Sequence, residues 1–412
     1  MPEQICRDYF EEDFLQNQLM KLVKSLNVIR PKFRVSLASD KADNFVGCVY
    51  RVVVSDENNG KECSRRSFIF KAPSRDWSRR RFMQSSLLFA RETLFYETVV
   101  PIFEDLLKER GKSLDFVPKY YGGSTVENEE TIILEDLSTR GFVLRDRLRQ
   151  LDHAHASLAV RYLGRLHAIS FALRDQRPDE FRIFSGMRED VFRKECLETE
   201  GYRNREKVFA QCVRTVLQDE DPYYTERFEE FLKDSVEKVQ LCCRAETAEP
   251  YSALNHGDCW SNNLLFKYNE ATNEPTAMYF VDFQVSRYVS PALDIHYLLY
   301  CSCNQKLRSA YYDKLIEEYY DSFSKYLREL GSDPNKLFPM EALQEQLKKF
   351  GTFAGVACLI LIHMFTFGRR DVPNVDASND DVKCLQERLK KDHFYRETLH
   401  DCFKDLIDRN YI

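Results

Sequence analysis

The chain has 412 residues, 43% hydrophobic and 31% charged, which is a globular composition long enough for two lobes that each bury a core. A formal net charge of −6 excludes a surface built to bind nucleic-acid phosphates, which needs a positive excess. The thirteen cysteines are odd in number and scattered without a C-x-x-C pair; this excludes a disulfide framework and ordinary zinc spacing, and predicts reduced thiols in a cytoplasmic protein.

Residues 1 to 13 carry five acidic side chains and no apolar segment, so no secretory signal is expected there. Phe10, Phe14, Leu15, Leu19 and Leu22 recur at helical spacing and predict an amphipathic helix over 9 to 26. Strands are expected at 33 to 38, 46 to 54 and 67 to 71, the last two joined by a turn at Glu57-Asn58-Asn59-Gly60. The basic run Arg79-Arg80-Arg81 reads as a solvated loop face. A helix over 84 to 107 follows, in which Leu88, Phe89, Phe95, Tyr96 and Val99 surround Glu92 and place this carboxylate on the apolar face. A charge there costs several kcal/mol, on the order of a buried ion, unless it is paired. Lys71, at the end of the apolar strand Phe68-Ile69-Phe70, is its nearest partner by topology.

A hairpin of strands at 117 to 121 and 131 to 134 completes a mostly antiparallel sheet crossed by one helix. The chain then becomes largely helical: 158 to 173, a charged insertion over 186 to 248, and 304 to 408. His167, alone on its helix, reads as a satisfied core residue. The segment 350 to 368 is nearly continuous in apolar residues and long enough for a membrane span, but Gly351, Gly355 and His363 within it favour a central buried helix, so no span is expected.

Between the insertion and the last helices lies the chemistry. His256-Gly257-Asp258-Cys259-Trp260-Ser261-Asn262-Asn263 supplies a carboxylate and, five residues later, an amide; Val281-Asp282-Phe283-Gln284 adds a second carboxylate nineteen residues beyond Asn263. The strands between them read as a hairpin with its turn at 269 to 275. Phosphoryl transfer from ATP needs these groups: Asp258 to accept the proton of an attacking hydroxyl, Asn263 and Asp282 to hold magnesium. Lys71 then stands where a kinase places the lysine that grips the nucleotide phosphates, with Glu92 holding it. The purine edge is expected at the main chain of Glu135-Asp136-Leu137, and phosphate oxygens at the turn over 39 to 47 that contains Asn44.

These motifs, with F-x-x-E-x-x-F-Y at 89 to 96, resemble the insect ecdysteroid-kinase-like proteins, relatives of choline kinases and aminoglycoside phosphotransferases, over nearly the whole chain. The resemblance implies an α+β, bilobal protein-kinase-like fold with a small antiparallel-sheet lobe, here 1 to 137, and a large mainly helical lobe, 138 to 412. It also implies ATP and magnesium as cofactors, and phosphorylation of a small-molecule hydroxyl, with ecdysteroids as the substrates that gave the family its name. Asp294 resembles the family's downstream aspartate, which anchors the catalytic loop. The chain departs from the pattern at Ala42 and Gly47, where relatives have Gly and Ser.

Three classes are compatible with this chemistry. A small-molecule kinase acting on a bulky neutral acceptor, such as an ecdysteroid or a xenobiotic alcohol, leads. A choline- or ethanolamine-type kinase and a catalytically inactive binding protein on the same fold are the alternatives. A protein kinase is disfavoured, because only eleven residues separate Asp282 from Asp294 and no A-P-E follows.

Overall fold

The computed structural model describes residues 13–38, 47–58, 61–74, 77–146, 148–187, 199–366 and 379–412. The chain has the α+β organisation expected, as two compact units. One comprises Met1–Pro101, Asp115–Val143 and Tyr279–Gln284; the other comprises Ile102–Leu114, Leu144–Met278 and Val285–Ile412.

The first unit is built on an antiparallel sheet of β1 (Pro31–Leu37), β2 (Gly47–Asn58), β3 (Lys61–Pro73), β4 (Tyr120–Ser124) and β5 (Thr131–Glu135), in the order β1-β2-β3-β5-β4. Side chains alternate between its faces. Tyr50, Val52, Val54, Phe68 and Phe70 point one way, onto Leu15, Leu19, Leu22 and Val23 of the helix Asp13–Ser25. Burying each large side chain contributes about 1.5–3 kcal/mol, so this face fixes the register of Val49, opposite Lys71, on the other face. Gly47 has a local reason: a Cβ there would lie 2.2 Å from the carbonyl oxygen of Ala72, so β2 and β3 approach too closely for a side chain.

Three local expectations need correction. The first strand of the second hairpin begins at Tyr120 rather than 117, because Pro118 has no N–H to give to the ladder. The helix expected over 84 to 107 forms as Ser85–Leu94 and Val100–Lys108 with a π turn, Phe95–Val99, between them. Pro101 lacks the N–H that an α turn would need, and the turn ahead of it widens. The basic run is not simply solvated: Arg80 lies on the short helix Trp77–Phe82 and makes two 2.8 Å hydrogen bonds to the buried Glu130.

The second unit is mainly helical. His153–Gln176 packs along Gln305–Glu329, and Gly351–Phe365 packs against Ala292–Ser302. At 15 residues, Gly351–Phe365 is roughly 22 Å long, short of a bilayer core of about 30 Å. Its side chains are nearly all buried in the unit's core, and no helix of the described residues is long and apolar enough to cross a membrane. Phe228 and Phe231 are likewise core residues, Phe228 against Phe403, whereas Tyr223 is exposed. The cysteines of the described residues are free thiols, most of them buried.

Two buried histidines give this unit an acid limit. Burial pushes His296 down to about 4 and His363 down to about 3. Both are neutral in the folded chain while the unfolded chain protonates them near 6.5. Their contribution is therefore intact above pH 6.5 and is lost as the pH falls from there toward 4, by roughly 2 kcal/mol each at pH 5. The thermal midpoint is expected to drop between pH 7.5 and 5, and to drop less in His296→Gln. A midpoint that stays level over that range would contradict the buried neutral state.

Candidate functional site

The candidate residues form two clusters, one in each unit. In the sheet unit, Lys71 projects from β3 and its Nζ donates to both carboxylate oxygens of Glu92, at 2.9 and 2.7 Å. Glu92 sits on Ser85–Leu94 and is only 2% exposed. The pairing expected from the apolar helix face is formed. What the sequence did not indicate is a second carboxylate: the same ammonium lies 2.6 Å from Oδ1 of Asp282.

Asp282 follows the strand Pro275–Phe280 and has φ +73, a left-handed conformation that aspartate tolerates better than most residues. The residue after it explains how the turn is held. Phe283 is fully buried, its ring stacked on Phe95 of the π turn at 3.8 Å between centroids. Burial works against the Lys71 charge, but Asp282 and Glu92 outweigh it and raise its pKa above the usual lysine value. Burial pushes Glu92 up to about 7, against the pull of Lys71.

Lys71→Met and Glu92→Gln should each lower activity and stability, with Lys71→Met the more damaging because it leaves two carboxylates facing each other. The double variant should lose less than the sum by about 1 kcal/mol or more. Strict additivity in thermal unfolding and turnover would show that the pair is not coupled.

In the same unit, β5 runs into Glu135 and a 3-10 turn, Leu137–Arg140. The Asp136 side chain is committed internally: it accepts from Ser138 N–H at 3.1 Å, Ser138 Oγ and Ser67 Oγ at 2.6 Å, and Arg51 Nε at 2.8 Å. Burial opposes its charge, yet these donors hold its carboxyl below the ordinary value. Asn44 and most of the phosphate turn lie outside the described residues.

In the helical unit, Asp258 sits in the loop that follows the short strand Ala253–Asn255. Gly257 makes the loop possible: its φ is +89, and a Cβ there would lie 2.0 Å from the carbonyl oxygen of Val285. A 3-10 turn, Ser261–Asn263, brings Asn263 back to the loop, where its Nδ2 donates to the Asp258 main-chain oxygen at 2.9 Å and to Oδ2 at 2.8 Å. With its nitrogen so used, the amide leaves its oxygen as the remaining donor atom for a metal.

Asp294, fully buried on the helix Ala292–Ser302, accepts from the main-chain N–H of His256 at 2.6 Å and of Gly257 at 2.8 Å. His167 is buried too, between Asp294 at 3.3 Å and the Tyr319 hydroxyl at 2.8 Å. Burial opposes the Asp294 charge, but the hydrogen bond and charge of His167 hold its carboxyl below the usual value. The side chain missed entirely by sequence reasoning is Tyr297, whose hydroxyl donates to Asp258 Oδ1 at 2.6 Å. Burial, then Asp258, raise its phenol well above 10. Its only trace in a single sequence is a position three residues after Asp294.

Among the described residues no three His, Cys, Asp or Glu side chains gather as a metal cage. Magnesium does not require one, since it is bound through one or two protein oxygens with phosphates and water.

The sheet unit, the helical unit and their residue sets define a small-molecule kinase-like fold. The sequence model of the ecdysteroid kinase-like family matches residues 41–332, and the chain belongs to that family. No curated protein matches the sequence. Among solved structures, the chain is similar to a Plasmodium vivax ethanolamine kinase (14% identity, 92% of this chain and 84% of that one, TM-score 0.44). It is also similar to the GDP complex of aminoglycoside 2'-phosphotransferase-IIIa (13% identity, 96% and 99%, TM-score 0.41). A third likeness is to a choline/ethanolamine kinase family protein of Mesorhizobium loti (11% identity, 95% and 99%, TM-score 0.35).

Proposed function

We propose that the protein is a cytoplasmic, ATP- and magnesium-dependent kinase that phosphorylates a hydroxyl of a bulky neutral small molecule, such as an ecdysteroid or a xenobiotic alcohol. The observation that carries this reading is the Lys71 ammonium gripped by Glu92 and Asp282, three groups contributed by a strand, a helix and a loop, the last 211 positions from the first. Burying these charges costs desolvation energy that their mutual pairing offsets, and clusters of this kind concentrate at functional sites.

In this reading Lys71, oriented by Glu92, meets the nucleotide phosphates. The main chain at Glu135-Asp136-Leu137 reads the purine edge, and the turn at Asn44 covers the phosphates. Asp282 and Asn263 are the metal ligands, and their hard oxygen donors fit magnesium. Bound magnesium would neutralise the triphosphate and polarise the phosphoryl group in transfer. Asp258 takes the proton of the acceptor hydroxyl as the acceptor O–P bond forms and the bond to the β-phosphate oxygen breaks, leaving ADP. Family membership supports the neutral acceptor. The apolar helix at 351–365 does not, since its side chains are spent in the core.

A panel of ecdysteroids, other hydroxylated lipids, choline, ethanolamine and aminoglycosides, assayed with purified protein and magnesium-ATP for the mass of one added phosphate, tests the proposal. Phosphocholine or phosphoethanolamine as the sole product would move the protein to the amino-alcohol class. No transfer to any acceptor, with ATP still bound, would favour a binding protein.

A further inference from the structure

We infer that Tyr297 is a positioning residue for Asp258: its hydroxyl, donating to Oδ1, fixes the plane of this carboxylate so that it meets the acceptor hydroxyl in one orientation. The inference rests on the kinase reading above and deepens it.

The terminal torsion of an aspartate is broad, so a carboxylate on a loop samples many orientations unless donors hold its oxygens. Here both oxygens are held. Oδ2 takes Asn263 Nδ2 at 2.8 Å and Oδ1 takes the Tyr297 hydroxyl at 2.6 Å. A carboxylate has about four acceptor sites, so two donors that fix its plane do not use up its capacity to accept.

Placement makes Tyr297 more than a convenient donor. It lies three residues after Asp294 on Ala292–Ser302, so both project from one side of the helix. Asp294 holds the main chain of the loop through His256 and Gly257, while Tyr297 holds the side chain that the loop presents. One buried helix thus sets both the position and the plane of the carboxylate. The Tyr297 ring is itself 5% exposed, with Phe353 at 6.5 Å between centroids. A hydroxyl carried on a packed ring is a stiffer support than one on a solvent-facing side chain.

The test is a double-mutant cycle with the acceptor found in the panel. Tyr297→Phe keeps the ring and removes the hydroxyl. It should lower kcat by about tenfold in the native background while leaving the KM for magnesium-ATP within about twofold. In the Asp258→Asn background it should cost nothing further, because there is no base left to orient. Installing 3-fluorotyrosine at position 297, which keeps ring and hydroxyl, should hold kcat within about twofold of native and also serves if Tyr297→Phe does not fold. Equal losses in both backgrounds would mark Tyr297 as merely structural and overturn the inference. So would an unchanged kcat in Tyr297→Phe, or a loss in the fluorotyrosine protein as large as that in Tyr297→Phe. Native turnover in Asp258→Asn would instead overturn the role of Asp258, and with it this inference. Absence of transfer by the native protein to every acceptor would overturn the kinase reading itself.

Discussion

Asp258→Asn is expected to lower turnover by a factor of about 100 or more while leaving magnesium-ATP binding in place, the range for loss of a general base and of hydroxyl positioning. The local structure makes this a clean test. An asparagine here can keep its oxygen toward the Asn263 amide and turn its nitrogen toward the Tyr297 oxygen, so the hydrogen bonds at 2.8 and 2.6 Å have replacements and the loop keeps its anchor on Asp294. What is lost is the carboxylate that takes the proton and positions the hydroxyl. Thermal unfolding should be close to native, and single-turnover transfer to the acceptor should be slow. Equal turnover in variant and native protein would remove Asp258 from the mechanism.

Asp282 should be the residue on which nucleotide binding depends most. Removing its carboxylate is expected to weaken magnesium-dependent ATP binding by about 100-fold or more, a larger loss than the 10–100-fold typical of groups that only support a ligand. Asn263→Ala should cost less, because an amide offers a metal a dipole rather than a full charge. The choice of substitution matters. At φ +73, alanine brings backbone strain of about 1–2 kcal/mol that aspartate and asparagine largely avoid. Asp282→Asn therefore isolates the charge, and Asp282→Ala adds the strain. In both variants Lys71 keeps its pair with Glu92, at 2.9 and 2.7 Å, so the sheet unit should still fold. Calorimetry with and without magnesium is the measurement. An unchanged magnesium-ATP affinity in Asp282→Asn would end the assignment of Asp282 as a metal ligand.

What the sequence determined by itself is whatever local period or burial cost can express. Alternation placed β1, a valine-rich run placed β2, helical recurrence placed the body of His153–Gln176, an unbroken apolar run placed Gly351–Phe365, and the charge on an apolar helix face required a partner for Glu92, which Lys71 provides. The spacing of Asp258, Asn263 and Asp282 was legible because the first two share one short loop and the third ends the hairpin after it. Tertiary structure decided the rest. Lys71 meets Asp282 across 211 positions, Tyr297 meets Asp258 across 39, and His167 supports Asp294 across 127. Arg80 leaves its basic run for Glu130, 50 positions away. No period in the chain encodes such contacts, because hydrogen bonds between distant segments exist only once the cores on either side have set where each backbone lies. The same holds for φ +73 at Asp282 and for Gly47, whose need for a missing Cβ arises only when Ala72 is brought against it.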